Sequence, residues 1–176
     1  ASSATFDNLQ TALDHVATHA EPLVVKASGL AAGKGAVVCA TREEAASAVR
    51  SMLESHDFGA AGNVVVIESF LEGEELSVFA VTNGKEVRLL PSAQDHKRLL
   101  DGDEGPNTGG MGAYTPVSLA TAELLQRVER EVLLPTLAEL ERRGAPYRGV
   151  LYAGLMVPPD GTPTVVEFNC RFCDPE

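Results

Sequence analysis

The sequence predicts an α+β fold in two lobes, and three observations predict it. Apolar residues recur at helical spacing in three separate stretches, around residues 9–20, 45–53 and 124–132, with short β-branched runs between them. Asn83-Gly84 separates two such runs with the strongest short hairpin signal. The run Pro158 to Gly161 separates another two in the same way. The first lobe reads as residues 1–68 and the second as residues 69–176.

After a short loop, Asp7 can cap a helix whose stripe is Leu9, Leu13, Val16, Ala17 and Ala20. His15 and His19 stand four apart there, but without an acidic or cysteine partner nearby they read as solvated helix histidines. Pro22 opens a strand, Leu23 to Ala27, that runs into Ser28-Gly-Leu-Ala-Ala-Gly-Lys-Gly35. Gly29, Gly33 and Gly35 can bring backbone N–H groups close to an anion, and Lys34 adds a point charge. This is not a P-loop: Gly29 to Gly33 leaves three residues where four are needed, and Gly35 stands where Ser or Thr would hold Mg²⁺. A glycine-rich hairpin turn explains the stretch equally well.

A strand from Ala36 to Ala40 leads to Thr41 and Glu44, a capping-box pair that starts a helix with Ala45, Val49, Met52 and Leu53 on one side. Val64 to Ile67 then reads as a buried strand that ends in Glu68. Its exit, Glu68 to Glu75, suits a hinge whose backbone reads an adenine edge while an acid takes ribose hydroxyls; a solvated acidic loop has the same composition. Leu76 to Val81 and Val87 to Pro91 form the antiparallel pair around Asn83-Gly84. Basic residues at Lys97 and Arg98 then meet a glycine-rich, flexible run, Asp101 to Ala113, as an anionic substrate or a polyphosphate requires. His96, between Asp95 and Lys97, reads as a general base or as a structural residue. Thr121 to Arg143 reads as helix, kinked or split by Pro135 and ended by Gly144.

The last strand carries the chemistry. Read as extended chain, Glu167, Asn169 and Arg171 share one face, and Phe168, Cys170 and Phe172 share the other, which should be core. Carboxylate and carboxamide oxygens are hard ligands for a divalent ion, and a guanidinium pairs with phosphate. An edge strand with a solvated polar face would show the same alternation.

Composition limits the classes of function. With 176 residues the chain can bury one ordinary core or two small ones, and 44% hydrophobic with 22% charged content is that of a soluble globular protein. A formal net charge of -11 argues against a general nucleic-acid or anionic-membrane binder, so neither is expected as a partner. No apolar run approaches the length of a membrane span, which makes a cytoplasmic location the expectation. Three cysteines do not suggest a disulfide framework. Cys170 and Cys173 form a C-x-x-C without a second pair to complete a zinc site, so they read as reduced thiols. The abrupt ends suggest a piece of a longer protein.

Four stretches agree: Lys26 to Gly35, Ile67 to Glu75, Gln94 to Arg98 with Gly105 to Tyr114, and Glu167 to Glu176. Together they resemble the ATP-grasp domain of the phosphoribosylamine-glycine ligase family, from about Pro22 to Glu176. The resemblance implies two α+β lobes gripping ATP between antiparallel sheets. It implies a reaction in purine synthesis, in which glycine, 5-phosphoribosylamine and ATP give glycinamide ribonucleotide, ADP and phosphate through an acyl phosphate. Carried over by residue, Lys26 would touch the ATP phosphates, and Gly33, Lys34 and Gly35 would close over them. Glu68, Ser69, Phe70 and Leu71 match the adenine-reading hinge, and Glu75 the ribose acid. Arg98 and Asn107 match catalytic ATP-site positions; Glu167 and Asn169 match the Mg²⁺ or Mn²⁺ ligands, and Arg171 would steady the transferring phosphoryl group. The resemblance also implies flanking domains, and further purine-synthesis domains are conceivable in the same chain.

One departure stands out: Cys173 occupies a position where the family has glycine. Two other readings remain open, an ATP-binding module without turnover and another ATP-grasp carboxylate-amine ligase.

Overall fold

A computed structural model of the chain describes residues 2–29, 35–96, 98–102, 104–108 and 111–172; the side chains of 98 and 104–107 are outside this description. The chain divides into two compact units, Ala1–Leu71 and Glu72–Glu176.

The first unit is a four-stranded antiparallel sheet with two helices on one face. Its strands are β1 (Ser3–Phe6), β2 (Leu23–Ala27), β3 (Ala36–Cys39) and β4 (Val65–Ser69), in the order β1-β4-β2-β3. Helices α1 (Leu9–Thr18) and α2 (Arg42–Leu53) cover the face that carries Leu23, Val25, Val65 and Ile67, all fully buried. The N-terminal stretch expected as loop is strand β1, paired with β4 from Ser3↔Glu68 to Phe6↔Val65. It is too short for a sequence pattern, and its partner makes it a strand. Asn8, rather than Asp7, caps α1 by accepting from the Thr11 amide at 3.1 Å. The stripe of α1 is shifted as well: Ala12 and Val16 are buried, while Ala17 and Ala20 are exposed. His15 and His19 are not solvated but half-buried, with the His15 ring 5.0 Å from Phe6 and 5.3 Å from His19. In α2 the expected cap forms, Thr41 accepting from the Glu44 amide at 3.2 Å, while Glu44 reaches back to the Ala40 amide at 2.8 Å.

In the second unit β5 (Glu74–Thr82), β6 (Val87–Leu89), β11 (Gly149–Val157) and β12 (Thr164–Asn169) form an antiparallel sheet in the order β12-β11-β5-β6. One face packs Leu76, Val78, Ala80, Leu151, Ala153 and Leu155 against α3 (Ala122–Val128) and α4 (Leu134–Arg142). Pro135 splits the expected long helix as its chemistry demands. A π turn over Glu129–Leu133 widens the backbone just before it, and the Leu134 amide bonds back to Glu129 O. The missing proline N–H and its ring are thereby accommodated without a sharp break. Parts of the glycine-rich run and the residues before it are paired: β7 (Gln94–Asp95) with β10 (Ala113–Tyr114), and β8 (Arg98–Leu100) with β9 (Glu104–Asn107).

Gly73, at the start of the second unit, has φ +148, and a Cβ there would stand 2.5 Å from Val157 O. Gly73→Ala is therefore expected to cost more than about 1 kcal/mol, because both backbone conformation and space exclude a side chain. Denaturant unfolding of wild type and variant measures this; equal midpoints would mean that the chain passes Val157 differently.

Candidate functional site

The sheet of the second unit has two unlike faces, and cross-strand register assigns each residue to one of them. Opposite the helix-covered face lie Glu75, Ser77 and Phe79 of β5, Met156, Gly154 and Tyr152 of β11, and Glu167 and Asn169 of β12. Strict alternation would put Val165 and Glu167 on the same side. A bulge between Gly154 and Leu155 intervenes: Val165 pairs with Leu155 and packs against the core, whereas Glu167 pairs with Gly154 on the open face. Bulges re-aim side chains in this way beside functional sites.

Glu167 is exposed and Asn169 half-buried, and among the described residues neither side chain has a hydrogen bond or ion pair. Two hard oxygen donors therefore project from neighbouring positions of one face. Among the described residues no group of three His, Cys, Asp or Glu side chains converges. Arg171 does not continue the row. The strand ends at Asn169, and the exposed Arg171 turns its Nη1 to Phe172 O at 2.5 Å. The face expected to be core is not: Phe168 is 41% and Phe172 43% exposed, and Cys170 is exposed. Phe172 instead lies 5.9 Å from Phe79, on the open side of the sheet, because the chain leaves extended geometry after Asn169. Beside this turn, burial, followed by the hydrogen bond and charge of Cys170, pushes the Tyr147 phenol up to about 12, so it stays the neutral donor to Val150 O.

Arg98 and Asn107 pair directly across the β8–β9 hairpin, so two residues nine apart in sequence share one register position. Glu75 lies half-buried opposite Met156. His96 is tied into the β7–β10 hairpin by its backbone, and its ring stacks on Tyr114 at 5.5 Å.

In the first unit Lys26 and Glu68 stand on the face away from the helices, Lys26 opposite Val66 and Glu68 opposite Val24. This diagonal brings Lys26 Nζ to 2.7 Å from Glu68 Oε2, with both side chains 22% exposed. Ser69 faces the other way, its hydroxyl 2.5 Å from that of Ser2 and 3.5 Å from His19 Nε2; Phe70 and Leu71 are half-buried. The rim of the glycine loop is pinned by the Ala27 amide on Gly35 O at 2.7 Å. Gly29 is glycine for a packing reason, since a Cβ would lie 2.6 Å from Ala61 Cα. Its amide bonds Ala61 O at 3.1 Å, so it is spent within the fold rather than offered to an anion. Gly33, Lys34, Lys97 and Cys173 lie outside the described residues.

Sequence reasoning missed Ser77, Tyr152 and Gly154 on the open face. The signal was present in Gly149 to Val157, where Tyr152 and Gly154 alternate with Leu151, Ala153 and Leu155.

Two solved structures define the class. The crystal structure of a phosphoribosylamine-glycine ligase from Thermotoga maritima superposes with a TM-score of 0.91 at 38% identity, over 99% of this chain and 44% of that one. The biotin carboxylase domain of a Hydrogenobacter thermophilus 2-oxoglutarate carboxylase, solved with MgADP, gives a TM-score of 0.62 at 18% identity, over 95% of this chain and 34% of that one. The fold is the α+β ATP-grasp fold. The chain belongs to the phosphoribosylglycinamide synthetase, ATP-grasp (A) domain, family, whose pattern matches residues 1–176. The phosphoribosylamine-glycine ligase of Ralstonia nicotianae is 55% identical over 172 residues, and that of Vibrio vulnificus strain YJ016 is 52% identical over 176. The chain spans about 41% of the length of each. No helix among the described residues is long and apolar enough to cross a membrane.

The Lys26–Glu68 pair is expected to show a coupling of at least about 0.5 kcal/mol in a double-mutant cycle of Lys26→Met and Glu68→Leu. Additive stabilities in the cycle would mean that the two charges do not interact.

Proposed function

We propose that this chain is the ATP-binding part of a ligase that joins glycine to 5-phosphoribosylamine. The observation that supports this most is the exposed Glu167 beside Asn169 on the open sheet face, in a chain of this family. The glycine carboxylate attacks the γ-phosphorus of ATP, releasing ADP and forming an acyl phosphate. The amine of 5-phosphoribosylamine then attacks the acyl carbon and displaces phosphate, with loss of its proton, to give glycinamide ribonucleotide. Carboxylate and triphosphate repel one another, so the protein's task is positioning and charge neutralisation.

In this reading Lys26 contacts the ATP phosphates, and on nucleotide binding shares its charge between them and Glu68. Gly33, Lys34 and Gly35 cover the phosphates; Glu68 to Leu71 read the adenine edge, and Glu75 takes the ribose hydroxyls. Arg98 and Asn107, paired across their hairpin, act on the polyphosphate. Arg171 reaches the transferring phosphoryl group by releasing Phe172 O.

A divalent cation, Mg²⁺ or Mn²⁺, suits the donors that are present. The Glu167 carboxylate and the Asn169 carboxamide are both oxygen ligands without a protein partner among the described residues, and they stand at neighbouring positions of one sheet face. Glu167 and Asn169 would hold the ion, which supplies charge neutralisation of the phosphates. The parent polypeptide, longer than this chain, acts in the cytoplasm and carries the remaining substrate contacts on other domains.

ADP release from Mg²⁺-ATP by the intact polypeptide tests the assignment, with glycine and freshly generated phosphoribosylamine each left out in turn. Release that requires both is the expected result; ATP binding that neither compound stimulates would retain the fold and remove the substrates. Glu167→Ala in the same assay is expected to lower turnover by about two orders of magnitude or more, the scale of losing a charge-stabilising group. A near-normal rate would take Glu167 out of the site.

A further inference from the structure

Two adjacent rows cross the open face of the second sheet. One is Ser77, Gly154 and Glu167; the next is Phe79, Tyr152 and Asn169. Phe79 is 7% and Tyr152 4% exposed, although the helices lie on the other side of the sheet. The two rings lie against each other with centroids 5.4 Å apart, and the Phe172 ring lies 5.9 Å from that of Phe79.

The Tyr152 ring leans out of its own row into the next. Its hydroxyl accepts from Ser77 Oγ at 3.4 Å, and Ser77 stands directly opposite Gly154. The same hydroxyl lies 2.9 Å from the point where a Cβ on Gly154 would stand, and Glu167 Cγ lies 3.2 Å from that point. The space that Gly154 leaves empty is thus shared by the phenol on one side and the Glu167 stem on the other. A carboxylate on two rotatable methylenes has several rotamers, and a neighbour packed against its Cγ removes some of them. Nothing else among the hydrogen bonds of the described residues restrains this side chain.

We propose that Tyr152 is a positioning residue for Glu167: its ring, packed on Phe79, fills the gap at Gly154 and holds the Glu167 stem so that the carboxylate points off the open face. The inference rests on the reading of Glu167 as a metal ligand. It predicts that the ring matters more than the hydroxyl, since ring carbon Cε1 also reaches 3.2 Å from the Gly154 point and the packing on Phe79 does not need the hydroxyl. It also accounts for glycine at 154, where any side chain would displace the phenol, the carboxylate or both.

The test uses the intact polypeptide and reads the free Mn²⁺ concentration for half-saturation, from loss of the free-ion electron paramagnetic resonance signal with a non-hydrolysable ATP analogue present, with the KM for ATP at saturating Mn²⁺ alongside. Tyr152→Leu is expected to raise the Mn²⁺ requirement by about tenfold or more, the scale seen when groups behind a metal ligand are lost. Tyr152→Phe, which keeps the ring, should stay near wild type, and the KM for ATP should not move in either variant. A merely structural role would change both constants or neither. Glu167→Gln is the control: if it leaves the Mn²⁺ requirement unchanged, the metal assignment falls and this inference with it. If Glu167→Gln raises the requirement while a cooperatively folded Tyr152→Leu does not, the metal reading stands and the positioning role is overturned. Should Tyr152→Leu not fold, Gly154→Ala decides. A methyl group between phenol and stem is expected to raise the Mn²⁺ requirement, and an unchanged value would overturn the proposal.

Discussion

The register of β11 between β5 and β12 is the constraint on which the second unit depends. Nine consecutive residues, Gly149 to Val157, pair with Thr82 back to Glu74, and a side-chain period of two then sorts them without exception. Leu151, Ala153 and Leu155 enter the core beneath α3 and α4, so Tyr152, Gly154 and Met156 must face away. A slip by one residue would bury Tyr152 against the helices and expose the leucines. Hydrophobic burial of one face therefore fixes the chemistry of the other, although no residue of the site takes part in the core.

The bulge in β12 completes this division. It lets Val165 contribute to the core and still delivers Glu167, two residues later, to the opposite face. The first unit solves the same problem without a bulge. Leu23 and Val25 are fully buried against the helices, and Lys26 emerges on the other side next to Glu68. In both units one sheet face is closed by α-helices, and the charged or oxygen-bearing side chains stand on the other.

Much of this was legible in the sequence. The helix stripes of α2 and α3, the Thr41 cap, both hairpins and the split at Pro135 follow from local chemistry that tertiary contacts did not need to overrule. Glu167 and Asn169 were legible because they sit two apart in a real strand. Arg171 and Phe172 were not, because alternation holds only while the strand lasts and it ends at Asn169. Strands β1 and β7 to β10 were missed since none exceeds four residues, and their partners rather than their composition make them strands. Gly29 misled for a related reason: its lack of a side chain serves contact with Ala61, which is remote in sequence. Tyr152 carried no polar neighbour to mark it, and only the register shows which row its hydroxyl enters.

In the proposed function, the open face of β12 holds a nucleotide-bound divalent ion through Glu167 and Asn169. Anomalous diffraction from Mn²⁺ tests it most directly, in crystals of the intact polypeptide grown with Mn²⁺ and a non-hydrolysable ATP analogue. One or more manganese peaks are expected at bonding distance from the Glu167 carboxylate and Asn169 Oδ1, with phosphate oxygens completing the shell. A fully occupied manganese and nucleotide site whose protein ligands exclude both residues would contradict it.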